Sequence, residues 1–331
     1  MPEHPFTAAD VESALGQRYM VDSEIAVGGQ GAVFKATRVF RPDGSAANDL
    51  VALKLHLHPG QDIRVQREVS AMEKISHPSL ARLIEHGYCA VGTRHTRYVA
   101  WEFIDGQTLS HRLKSGRMLE WEVLAIGRDV LAAIAEIWSQ RIVHGDIKPS
   151  NIMLRDSGRS VLIDLGAARH LEQDNSPAAR RPFGTPGYLS PEQARGTKAL
   201  SCASDIFSLG VVMLQCLTGR HPTDYSQNAL ADGIRASALK LSVSVHLVSD
   251  LDKMLSARPT FRPSPAGLSS HFQHLQQTID AQCAAGILPP MRTLASLSGS
   301  GTTSSRSATK TVAITCSGNP QFAAKSNSWR P

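Results

Sequence analysis

The sequence predicts an α+β chain of two lobes, a small β-rich lobe followed by a larger helical lobe and a flexible tail. Three observations carry this. Short runs rich in Val, Ile, Leu and Phe, punctuated by Gly, Pro and Asp, fill the first hundred residues. After Asp105-Gly106 the apolar residues recur at helical spacing instead. Beyond residue 286 the composition shifts again: 15 of the last 45 residues are Ser or Thr, five are basic and none is acidic. Such a mixture has too little apolar surface to build a core.

Taken in order, residues 1–18 read as a helical lead-in, with Thr7 placed to cap a helix opening at Ala8-Ala9-Asp10. Strands are expected over 25–27, 32–40 and 50–58, the last two joined by the turn Arg41-Pro42-Asp43-Gly44. Residues 62–75 carry Ile63, Val69, Met72 and Ile75 roughly on one helical face, and 97–103 reads as another strand. Helices follow over 119–140, 203–217 and 264–280. The domain boundaries expected are a lead-in at 1–18, a folded unit at 19–282 and a tail at 283–331. Within the unit, 19–101 forms the small lobe, 102–106 the hinge and 107–282 the large lobe.

Composition excludes several function classes. The chain has 331 residues with 42% hydrophobic, enough for a real core. Lys and Arg exceed Asp and Glu by 35 to 29, and five of those basic residues lie in the acid-free tail. The rest is nearly neutral, which argues against a nucleic-acid-binding surface. Cys89, Cys202, Cys216, Cys283 and Cys316 are scattered, with no CxxC pair, as expected in a reducing compartment. Neither a signal-peptide pattern nor an unbroken apolar run of about 18 residues occurs. A cytoplasmic protein without a membrane span is the expectation.

The chemistry concentrates in a few segments. His144-Gly145-Asp146-Ile147-Lys148-Pro149-Ser150-Asn151 is a polar loop between apolar flanks, offering a carboxylate, an ammonium and an amide. Val161-Leu162-Ile163-Asp164-Leu165-Gly166 is a buried strand running into a carboxylate. Asn151 and Asp164 supply hard oxygens of the kind Mg²⁺ prefers. Gly28-Gly29-Gln30-Gly31-Ala32-Val33 is a glycine-rich turn, and Val51-Ala52-Leu53-Lys54 lies on the next long strand.

From residue 19 to 282 this pattern resembles the eukaryotic-type (Hanks-type) serine/threonine protein kinases, in a bacterial-like form, and implies their bilobal fold. The resemblance implies Asp146 as acceptor of the substrate hydroxyl proton, Lys148 as partner of the γ-phosphate, and Asn151 and Asp164 as Mg²⁺ ligands, with Mn²⁺ as a substitute. It implies that Lys54 contacts the ATP phosphates and pairs with Glu68, chosen over Glu73 because His77-Pro78 follows at the usual remove. Gly28 and Gly31 would cover the phosphates. Ile25, Val33, Ala52 and Met153 would enclose the nucleotide, and backbone groups of Glu102 and Ile104 would hold adenine, with Trp101 in the gatekeeper place.

Downstream, Gly184-Thr185-Pro186-Gly187-Tyr188-Leu189-Ser190-Pro191-Glu192 resembles the peptide-binding segment, with Thr185 expected to order the catalytic site. Asp205 would hold the catalytic-loop backbone and Arg262 would pair with Glu192. By the same resemblance this trio favours protein acceptors over the small molecules served by other H-G-D-x-x-x-x-N enzymes, and Lys148 with the 184–192 string favours Ser/Thr over Tyr. The departures are Ala26 for the first loop glycine, Leu165 for Phe, and Gly145 where phosphate-regulated members carry Arg. With that Arg missing, Ser176 phosphorylation is not expected to control activity, and Arg180 and Arg181 read as solvated loop charges. The expected function is ATP-dependent phosphorylation of protein substrates, with the tail autophosphorylated and docking partner proteins. The alternatives are a nucleotide-binding pseudokinase or scaffold and a small-molecule phosphotransferase.

Overall fold

The computed structural model describes residues 6–28, 31–56, 62–92, 94–171, 184–196, 200–224, 235–239 and 241–287. Gly29, Gln30, Ser176, Arg180, Arg181 and the tail beyond residue 287 lie outside them. The first helix, α1 (Ala8–Leu15), starts at the expected cap: Thr7 accepts from the Asp10 N–H, and Asp10 Oδ2 accepts from the Thr7 N–H at 3.0 Å.

Strands β1 (Tyr19–Gly28), β2 (Gly31–Phe40), β3 (Ala46–His56), β4 (Leu83–Val91) and β5 (Arg94–Glu102) form an antiparallel sheet in the order β1-β2-β3-β5-β4. Side chains alternate across it with period two. On β3, Val51, Leu53 and Leu55 face one way, meeting Phe34, Tyr98 and Ala100 together with Phe6, Val11 and Leu15 from the lead-in. The lead-in thus covers the outer face of the sheet. Ala52 and, on β5, Val99 and Trp101 face the other way, against Val65, Val69 and Met72 of α2 (Asp62–Lys74). Lys54 shares the Ala52 face, so alternation alone turns it inward.

In the large lobe, α4 (Glu120–Ser139) buries Val123, Ile126, Val130, Ile134 and Ile137 at spacings of three and four. The terminal helix α8 (Pro265–Ala284) lies against it. A Cβ on Gly127 would come within 2.9 Å of the Phe272 ring, so the absence of one lets the two helices close. Helix α6 (Cys202–Thr218) is buried continuously from Ser204 to Leu214, the signature of a central core helix. Ser201 caps its start and Gly219, at φ 71°, ends it in the left-handed conformation. Among the described residues no helix is long and apolar enough to cross a membrane.

Between the lobes, β6 (Gly106–Thr108), β8 (Ile152–Arg155) and β9 (Ser160–Leu162) form one small sheet, and β7 (Ile142–Val143) pairs with β10 (Arg169–His170) in another. The helices α3 (Leu109–Arg112), α5 (Pro191–Ala194) and α7 (Val245–Met254) complete the described elements used below. Observed bounds depart from the expected ones in instructive places. β1 reaches back to Tyr19 through Asp22 and Glu24, because pairing with β2 makes that strand and no apolar run does. β4 goes unseen in the sequence because Glu85, His86 and Gly87 break its alternation at the edge of the sheet.

Candidate active site

Three pieces of chain converge at the junction of the lobes. The first is β3 with α2. Lys54 Nζ lies 3.3 Å from both Glu68 oxygens and 3.1 Å from Asp164 Oδ1. Lys54 is 4% exposed and Glu68 1%, so this is a buried ion cluster. Glu73 sits apart on the surface, 3.3 Å from His86. Burial opposes the charge on Lys54, but the Glu68 and Asp164 carboxylates more than reverse this and raise its pKa. Burial likewise pushes Asp164 up, yet the Lys54 charge and hydrogen bond and the Gly166 N–H bring it below the ordinary carboxylate value. Glu68 stays raised by burial against the pull of Lys54. One ammonium thus faces two carboxylates, leaving a net negative site.

The second piece is the loop between β7 and β8. Asp205, on α6, accepts from the backbone N–H groups of His144 and Gly145, both at 2.9 Å. Gly145 adopts φ 77°, and a Cβ there would meet the Ala167 carbonyl at 3.1 Å. The Asp146 carboxylate is oriented from both sides. Its Oδ1 accepts from Thr185 N–H at 2.8 Å and Thr185 Oγ–H at 2.7 Å, while Oδ2 lies 2.7 Å from Lys148 Nζ. Lys148 also donates to Thr185 Oγ1 at 2.7 Å, and Asn151 Nδ2 donates to the Asp146 carbonyl at 2.9 Å.

The third piece leaves β9 at Asp164, a non-glycine residue at φ 64°. Such a conformation costs on the order of 1–3 kcal/mol and persists where the surroundings overdetermine it. Here the contacts are the Lys54 ion pair and the Gly166 N–H. The His144 ring, wholly buried, bridges to the Ile163 carbonyl at 3.3 Å and ties the two loops together. Leu165 is buried in the main core, filling the place where the resemblance expects Phe.

The residues expected around a nucleotide lie on β1, β2, β3, β5, β8 and the stretch after β5. Ala52 and Trp101 are paired across β3 and β5, Val33 and Met153 pack partly buried against the core, and Ile104 is buried. Ile25 is half-exposed on β1, and Gly28 pairs with Gly31 across the hairpin. Gly31 has no steric alternative: a Cβ there would sit 2.2 Å from the Leu55 carbonyl oxygen. The Glu102 carboxylate is bound by Arg155 at 2.9 Å, and the Glu102 N–H donates to the Arg82 carbonyl at 2.9 Å.

The described segment at residues 184–196 is anchored by a buried pair. Arg262 makes a two-pronged contact with Glu192 at 2.6 and 2.9 Å, donates to the Ala203 and Ser256 carbonyls, and stacks on Phe207. Sequence reasoning missed three neighbours. Ser204 donates to Glu192 at 2.7 Å, and Gln193 Nε2 donates to the Gly145 carbonyl at 3.0 Å. His56, two residues beyond Lys54, lies 3.9 Å from Glu68. Its pKa is pushed down to about 3 by burial and by Lys54, so it is neutral. Period two places His56 on the Lys54 face; the Ser190-x-x-Gln193 spacing marks Gln193 as a helix-cap partner.

Comparison with known proteins bears on this arrangement. A family model described as protein kinase domain matches residues 19–275. The chain is 30% identical over 246 residues to the probable serine/threonine-protein kinase PknB of Lactococcus lactis subsp. lactis, covering 74% of this chain and 37% of that protein. It is 31% identical over 263 residues to the serine/threonine-protein kinase PknA of Nostoc sp., covering 76% and 46%. Against the proline-rich receptor-like protein kinase PERK12 of Arabidopsis thaliana it is 35% identical over 239 residues, covering 70% and 32%. The chain spans a third to a half of the length of these curated relatives. With the family model matched from the first strand of the sheet to within α8, the chain belongs to the protein kinase domain family.

Proposed function

We propose that this chain is a serine/threonine protein kinase that moves the γ-phosphoryl group of ATP to a protein hydroxyl. The observation that carries the reading is the Asp146 carboxylate, oriented by Thr185 and Lys148 and facing the same junction as the Lys54–Glu68–Asp164 cluster. In this reading Asp146 takes the hydroxyl proton as the acceptor oxygen bonds to the γ-phosphorus and the bond to the β-phosphate oxygen breaks. Lys148 balances charge on the moving group, and Lys54 holds the phosphates left behind. The protein's part is positioning and neutralisation, with no covalent intermediate.

The donor set suits Mg²⁺. Asn151 bonds to Asp146 through its amide nitrogen, and Asp164 bonds to Lys54 and the Gly166 N–H through Oδ1, which leaves Asn151 Oδ1 and Asp164 Oδ2 to meet a cation. Among the described residues no cluster of three His, Cys, Asp or Glu could hold a metal by itself. One carboxylate and one amide fit an ion that takes few protein ligands, and the net negative charge of the buried cluster favours a cation. When bound, Mg²⁺ would neutralise the phosphate oxygens of ATP.

Transfer of label from γ-labelled ATP with Mg²⁺ or Mn²⁺ tests the reading, with a generic basic protein and the chain itself as acceptors. The wild type is expected to label protein, and Lys54→Ala to lose about 10²-fold or more, since it removes the charge that pairs the phosphates. Label only on small alcohols or aminoglycosides would point to a small-molecule phosphotransferase, and nucleotide binding without transfer to a pseudokinase. Mapping the label would show whether the Ser/Thr-rich segment beyond residue 287 is an acceptor in cis. Docking of partner proteins on that segment is part of the proposal.

A further inference from the structure

The geometry points to Gln193 as a positioning residue for the catalytic loop, a role that rests on the kinase reading above. Gln193 is 5% exposed and is the third residue of α5, the short turn of helix capped by Ser190, itself wholly buried. Its amide is used at both ends. Oε1 accepts from the Ser190 N–H and Oγ–H, each at 3.0 Å, and Nε2 donates to the Gly145 carbonyl at 3.0 Å. That pattern settles the orientation, because a flipped amide would set oxygen against oxygen at Gly145 and N–H against N–H at Ser190.

The Gly145 carbonyl belongs to the peptide that carries Asp146. The N–H of that same peptide donates to His144 Nδ1 at 3.3 Å. Gln193 and His144 therefore hold the two sides of one peptide plane, and the Gly145 N–H is held separately by Asp205. The backbone leading into the Asp146 side chain is set by three buried groups, of which Gln193 alone comes from the acceptor-side segment. In this chain Gly145 replaces the Arg that could bind an activation-loop phosphate, so a neutral amide links the two segments without any phosphate.

Glu at 193 separates this role from helix capping. A carboxylate serves a Ser-x-x-Glu cap as well as Gln does, but it has no hydrogen to give the Gly145 carbonyl. The charged groups on the segments packed there are Asp146 with its partner Lys148, Asp205 and the Glu192–Arg262 pair, with His144 beside them. Three of these are carboxylates, and both cations are already committed, Lys148 to Asp146 and Arg262 to Glu192, so burial and like charge raise the carboxyl pKa of the Gln193→Glu variant. Once protonated, that carboxyl can donate to Gly145.

Gln193→Glu is expected to lower kcat by about 10- to 100-fold at pH 8, the scale of a small misplacement of a catalytic group. KM for ATP should stay within about threefold, while the raised carboxyl pKa lowers the unfolding temperature at pH 8 and less so at pH 6. The ratio of variant to wild-type rate should rise as pH falls from 8 to 6. An unchanged kcat at pH 8, or a ratio flat with pH, overturns the inference. An inactive wild type overturns the kinase reading instead. Should the carboxylate unfold the chain, Gln193→Met, which cannot donate, is expected to lower kcat with a ratio independent of pH; a wild-type kcat there also overturns it.

Discussion

Asp146→Asn is expected to reduce phosphoryl transfer by about 10²- to 10⁴-fold, the range for losing a positioned general base. The substitution keeps the shape of the side chain. Its carbonyl oxygen can still accept from the Thr185 N–H and Oγ–H, which hold Oδ1 at 2.8 and 2.7 Å. The amide nitrogen would then stand opposite Lys148 Nζ, 2.7 Å away, and donor would face donor. Lys148 loses its anionic partner but keeps Thr185. The lesion is therefore local: kcat falls, while ATP affinity, governed by the separate Lys54 cluster, stays within about threefold. Steady-state label transfer beside calorimetric nucleotide titration checks both halves. A rate within tenfold of the wild type would falsify the role given to Asp146.

Arg262→Ala should carry the largest stability cost of any single change discussed. Arg262 is 7% exposed, and its guanidinium satisfies both Glu192 oxygens and two backbone carbonyls. Truncation leaves a buried carboxylate without its cation, which costs about 3–5 kcal/mol. At roughly 2–4 °C per kcal/mol for a chain of this size, the melting temperature should fall by about 6–20 °C. Burial pushes Glu192 up, but the Arg262 hydrogen bonds and charge, with Ser204, outweigh it and leave its pKa below the ordinary value. A carboxyl lowered on folding contributes stability above its unfolded pKa and loses it as acid protonates the folded form. The pair should therefore be at full strength at neutral pH and fade below about pH 4. Melting curves of wild type and variant should accordingly converge towards acid pH, and a constant gap would contradict this account.

What could be read in advance depended on the range of the interaction. Thr7, placed to cap the helix that opens at Ala8, acts on a residue three positions away, where spacing alone carries the information. The helix over 203–217 was legible because residues 206–217 are almost continuously apolar. β4 was not, since an edge strand with Glu85 and His86 shows no alternation until β5 pairs with it. Asp146, Asn151 and Asp164 stood out as a loop and a strand end with hard oxygens, while Lys54, Glu68, Asp205 and Arg262 drew their meaning from family resemblance. No local pattern in the chain connects Lys54 to Asp164 across 110 residues.

Alternation along β3 determined that Lys54 faces inward, and helical spacing in α2 placed Glu68 near the buried Val65–Val69 face. Which acid Lys54 meets was a matter of packing: Glu68 comes to 3.3 Å while Glu73, five residues on, turns to His86. The same holds for Gln193, whose local partner Ser190 follows from a three-residue spacing but whose second partner, Gly145, lies 48 positions away. Period and capping are properties of neighbouring residues and are written into their order. The orientation of Asp146 depends on hydrogen bonds from Thr185, Lys148 and Asn151 acting together, and those become possible only when the loops close on one another.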